Sequence, residues 1–145
     1  MRFRWADYSG GMRDGGVTGP AIRGRILSCV EACDALVVVS EDCAEACLAL
    51  CGDGVITACF IAALDCAEVC SLTSRMLSWH SSYDRPVATA ILEACVEACL
   101  ASTGACERMA ALYDPWATCS VACRRVEVAC TELLAVFELT AGGSL

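Results

Sequence analysis

The 145-residue sequence is poor in proline, which occurs three times, and in basic residues, of which there are ten against eighteen acidic ones. Scarce proline leaves room for long uninterrupted helices. A formal net charge of −8 would repel a phosphate backbone, so nucleic acid is excluded as a partner class. A single histidine, His80, leaves little imidazole for metal or acid–base chemistry; its place at the end of a helical stretch suits an ordinary structural role. No G-x-G-x-x-G, P-loop, nucleophile elbow or H-E-x-x-H occurs, so the common phosphate-binding and hydrolytic sites are missing. The beginning, Met1-Arg2-Phe3-Arg4-Trp5-Ala6, has no apolar export core, and no uninterrupted apolar run approaches a membrane span. These absences predict a cytoplasmic chain with no membrane partner, in a reducing compartment where disulfides are rare.

What is present is apolar and helix-favouring. Hydrophobic residues make up 57% of the chain, and its eleven glycines gather mostly before residue 25 and at the far end. Residues 1–21 read as a flexible Gly-rich arm, 22–139 as one domain and 140–145 as a flexible tail. Within the domain, punctuation divides four helical stretches. The first runs from about Ile22 to Cys51 and stops at Gly52-Asp53-Gly54; the second runs from about Val55 to Trp79. The third starts at Asp84, with Pro86 in its first turn, and reaches about Leu112. The fourth starts with Asp114 as N-cap and Pro115 at the first helical position, and reaches about Leu139. Short links between long helices predict an all-α, antiparallel up-down-up-down four-helix bundle.

Fourteen cysteines then require an explanation. In the first stretch Cys29, Cys33, Leu36, Ser40, Cys43, Cys47 and Cys51 follow one another at steps of 4, 3, 4, 3, 4 and 4. The third has Cys95, Cys99, Ser102 and Cys106, and the fourth Cys119, Cys123, Val126 and Cys130, both at steps of 4, 3 and 4. Cys59, Cys66 and Cys70 lie on one stripe of the second. Such steps keep residues on one helix face, which in a bundle points inward, so the core should be lined with thiols. The motif Cys-x-Glu-x-Cys recurs around Glu31, Glu45, Glu68 and Glu97. A residue two positions on is about 200° round the helix, so these glutamates should face solvent.

Such a seam suits metal better than disulfides. Cysteines four apart on a helix have Cβ atoms about 5–6 Å apart, beyond the roughly 3.5–4.5 Å that a disulfide spans. Structural zinc favours Cys-x-x-Cys knuckles, which are missing, and four thiolates around Zn²⁺ would bury two negative charges. Iron–sulfur motifs use closely spaced loop cysteines. Cu(I) is soft, accepts few ligands, and one ion per thiolate neutralises the core. The candidate ligands are therefore the fourteen cysteines, holding multiple Cu(I) ions.

The pattern resembles the bacterial cytosolic copper storage proteins, from about Arg25 to Leu134. The resemblance rests on Cys29-Val30-Glu31-Ala32-Cys33, Cys43-Ala44-Glu45-Ala46-Cys47, Asp65-Cys66-Ala67-Glu68-Val69-Cys70 and Leu92-Glu93-Ala94-Cys95 with Cys99. Cys106-Glu107-Arg108 and Cys119 with Cys123 and Cys130 continue it. The resemblance implies Cu(I) storage or buffering in the cytosol, exchange with copper donors or chaperones, and commonly a homotetramer. It also implies cysteine where this chain has Leu36, Ser40, Ser102, Trp116 and Val126, and histidine near Met109, Tyr113 and Pro115, so that the Met109 thioether is a candidate Cu(I) ligand in place of histidine. The copper array should thus be shorter than the family's, or broken into clusters. Trp116, Tyr113 and Met109 read as a plug at one end of the bundle, with the lining of a small-ligand pocket as the alternative. Two other readings compete: a smaller copper–thiolate cluster used for redox or biosynthetic enzyme chemistry, and a packing role without metal. An enzyme is the less favoured of these classes.

Overall fold

The computed structural model describes residues 20–50, 54–79, 85–110 and 114–143, with side chains over 22–50, 56–78, 86–109 and 116–139. Every described residue is helical. Helix α1 spans Pro20–Leu50, α2 Gly54–Trp79, α3 Arg85–Ala110 and α4 Asp114–Gly143. Proline opens α1 and occupies the second position of α3 and α4, where a missing N–H costs nothing. The last helix runs to Gly143, past the boundary expected at Leu139. The Gly-rich start, Cys51, His80 and Tyr113 lie outside the described residues.

Each helix packs on its sequence neighbours, and α4 closes the ring against α1. The result is the antiparallel four-helix bundle that the short links imply. One continuous core runs along the axis. Its floor and ceiling are aliphatic and aromatic: Ile22, Ile26, Leu77, Ala88, Leu92, Leu133 and Phe137 gather at the end where α1 begins, and Met109 and Trp116 at the other. Between them the core is mostly sulfur.

Polar ties on the outside fix helix pairs. Arg25 on α1 donates to Glu132 on α4 at 3.2 Å, and Arg124 on α4 donates to Glu107 on α3 at 2.6 Å. Both pairs are half-exposed and screened by solvent, so they orient the helices more than they stabilise the fold. Ser74 donates to Asp34 across α1 and α2 at 2.5 Å. Thr73, fully buried, returns its hydroxyl to the Val69 carbonyl at 2.8 Å and needs no other partner.

The stretches Ile56–Ser78 and Pro86–Met109 are long and apolar enough to match a membrane span, with mean hydropathies of 1.6 and 1.4. Cysteine and alanine, which count as apolar, raise these values. The cysteines lie on the inward stripe, while Asp65, Glu68, Glu93 and Glu97 stand exposed on the other faces, as in core helices of a bundle.

Candidate metal centre

The heptad-like steps bring thirteen of the fourteen cysteines into the core, all buried and all free thiols. The gap positions of the seam, Leu36, Ser40, Ser102, Trp116 and Val126, are fully buried among them. Glu31, Glu45, Glu68 and Glu97 are exposed, so each Cys-x-Glu-x-Cys turns its sulfurs in and its carboxylate out.

The sulfurs converge in threes. Cys29, Cys33 and Cys130 have Sγ atoms within 4.8 Å of one another, as do Cys33, Cys70 and Cys95, then Cys66, Cys70 and Cys99, and finally Cys43, Cys106 and Cys119. Cys33 and Cys70 each belong to two groups, so the first three groups join into one cluster of seven thiols. The fourth stands apart, with Cys59 beside Cys106 and Cys47 beside Cys59. Contacts between helices are close: Sγ to Sγ is 3.5 Å for Cys29–Cys130, 3.8 Å for Cys70–Cys95 and 3.9 Å for Cys66–Cys99.

Cys123 connects the two clusters, touching Cys119 on one side and Cys66 and Cys99 on the other. Beside it, the Ser102 hydroxyl occupies a seam position, 3.9 Å from Cys106 Sγ and in contact with Cys123. The division therefore falls where the sequence substitutes a hydroxyl for a thiol.

Neighbouring thiols drive one another in opposite directions. Hydrogen bonding from Cys130 and then Cys33 lowers Cys29 from 9.0 to about 5. Contacts with Cys106 and Cys119 lower Cys43 to about 4, and contacts with Cys33 and Cys66 lower Cys70 to about 6. The donors move the other way: Cys33 and Cys130 are pushed up, chiefly by hydrogen bonds with Cys130 and Cys29 respectively. Cys106 is pushed up likewise, chiefly by Cys119. Each group of three thus contains at least one sulfur that gives up its proton more readily than a free thiol, Cys70 and Cys95 both being lowered in the group they share with Cys33.

At the other end, burial raises Cys47 to about 11, while Cys106 draws Cys59 down to about 7. Trp116 acts on both sulfurs in the same direction, favouring the thiolate. The fully buried indole stands where a further thiol would continue the seam. Met109 is also buried at this end. The role of Ser102 and the linking position of Cys123 were missed in the sequence; the only signal was that both sit on the seam.

Residues 23–135 match the copper storage protein family. The chain belongs to that family. No curated protein matches it. Among solved structures it is similar to the cytosolic copper storage protein of Streptomyces lividans loaded with five coppers. The identity is 37% over 81% of this chain and 98% of that one, with a TM-score of 0.74. The Streptomyces lividans protein loaded with 10 copper equivalents is 34% identical over 89% of this chain and 96% of its own, also at a TM-score of 0.74. A variant of that protein with one histidine replaced by alanine is 36% identical, over 79% of this chain and 96% of that one, with a TM-score of 0.72.

Proposed function

We propose that this chain stores Cu(I) on the thiolates of its core, as a cytoplasmic buffer that receives copper from donors or chaperones and returns it. The observation that carries this reading is the convergence of fully buried sulfurs into four three-thiol groups, none containing a carboxylate or imidazole. Soft, crowded and uncharged apart from their own protons, such groups select a soft monovalent ion. Each incoming Cu(I) replaces a thiol proton, so the core stays neutral as it fills, which a divalent ion would not allow. The lowered thiols Cys29, Cys43 and Cys70 release their protons most readily and supply the first sulfur of each group, and their neighbours follow.

The ligands are Cys29, Cys33, Cys43, Cys47, Cys59, Cys66, Cys70, Cys95, Cys99, Cys106, Cys119, Cys123 and Cys130. Cys51, which lies outside the described residues, and the Met109 thioether complete the set. Leu48, Val121 and Val128 are exposed on α1 and α4, which supports association with further copies of the chain, a homotetramer being the family's usual form.

The test is an anaerobic titration of the reduced protein with Cu(I) against a competing chelator. About one tightly held ion per cysteine is expected from one-for-one charge balance. Tight binding of one ion or none would sink the storage reading.

A further inference from the structure

The same thiols suit a second class of cargo. We propose that the core also takes up trivalent arsenic, as arsenous acid, at three discrete three-thiol sites. The inference rests on the grouping of the sulfurs and not on copper binding.

Charge comes first. Among the described residues the buried polar side chains are Ser40, Thr73, Ser74, Ser102, Thr103 and Ser120; no buried arginine or carboxylate is there to balance an ion. A complex formed in this core must therefore be neutral by itself. A divalent ion on three thiolates leaves one negative charge. Trivalent arsenic on three thiolates leaves none. Arsenous acid is itself uncharged at neutral pH, so it also reaches the core without burying an ion.

Geometry comes second. Trivalent arsenic binds three sulfurs in a pyramid, with its lone pair on the open side. Cys29, Cys33 and Cys130 provide three sulfurs within 4.8 Å of one another, and within this set Cys29 and Cys130 are already 3.5 Å apart. Cys66, Cys70 and Cys99 provide a second set, with Cys66 and Cys99 at 3.9 Å, and Cys43, Cys106 and Cys119 a third. These three sets share no residue. The remaining group, Cys33, Cys70 and Cys95, borrows one sulfur from each of the first two sets and cannot fill alongside them.

The reaction is an exchange without redox. Three As–O bonds break and three As–S bonds form. Each displaced hydroxide takes up one proton, from a thiol or, where the sulfur has already lost its own, from solvent, so three waters are released and arsenic remains trivalent. Filling all three sets uses nine thiols and leaves Cys47, Cys59, Cys95 and Cys123 of the described core unbound.

The test uses the full, reduced chain, incubated anaerobically with sodium arsenite and weighed by native mass spectrometry. Three arsenic atoms per chain are expected. Cys106→Ser and Cys119→Ser, made separately and checked for helix content by circular dichroism, should each hold two. Cys47→Ser should still hold three while its Cu(I) capacity falls, which separates this proposal from the storage reading. Any wild-type count other than three would overturn it. So would an unchanged count in both folded serine variants, or an equal loss in Cys47→Ser.

Discussion

Ser40 offers a quantitative test of how this core is built. Its side chain is fully buried on the seam of α1, and its Oγ has no hydrogen-bond partner among the described residues. A hydroxyl in that condition costs about 1–3 kcal/mol relative to a site without it. Ser40→Ala removes the hydroxyl and adds roughly 0.5 kcal/mol of helix propensity. Against this stands the void left by one oxygen atom, smaller than a methyl group and costing about 1 kcal/mol or less. The substitution should therefore stabilise the copper-free protein by about 1–2 kcal/mol, an unusual sign for a core truncation. At this chain length that corresponds to a melting temperature higher by about 2–8 °C. The assay is thermal unfolding followed by circular dichroism, with a phosphine reductant keeping the thiols free. A lower melting temperature would refute the reasoning, because it would mean that the hydroxyl is satisfied and contributes to the fold.

Two more outcomes follow from the thiol network. Ser102→Cys places a sulfur between Cys106 and Cys123 and restores the seam there, so Cu(I) capacity measured by chelator competition should rise by about one ion. Alkaline stability should also depend on load. Burial raises Cys47 from 9.0 to about 11, so its contribution is complete below pH 9 and is lost as pH rises toward 11. Cys33, Cys106 and Cys130 are displaced in the same direction. The melting temperature of the copper-free protein should fall across that interval. That of the copper-loaded protein should not, since its sulfurs no longer carry protons.

Much of this was legible because helix geometry is periodic. Steps of 4 and 3 from Cys29 to Cys47 define one face whatever the helix packs against, and Asp114-Pro115 marks a helix start locally. Which sulfurs meet was not legible. The same steps permit α1 to slide along α4 by a turn without moving a cysteine off the core. Only the packed register joins Cys29 to Cys130 and leaves Cys43, Cys106 and Cys119 as a separate group. The orphaned Ser40 hydroxyl was equally invisible, because a serine on a helix ordinarily turns back to a carbonyl, as Thr73 does.

The alternation of sulfur and carboxylate in Cys-x-Glu-x-Cys has a consequence for recognition. The same short motif writes the interior and the exterior of the bundle on opposite sides of one helix, and exchange of protons for monovalent ions happens wholly on the inner side. An empty copy and a full one therefore present the same rows of Glu31, Glu45, Glu68 and Glu97 to their surroundings. The flanks of the molecule are mute about its contents. Any partner that must distinguish a copy with copper to give from one with room to take has to read it at the ends of the bundle, where side chains such as Trp116 and Phe137 close over the sulfurs.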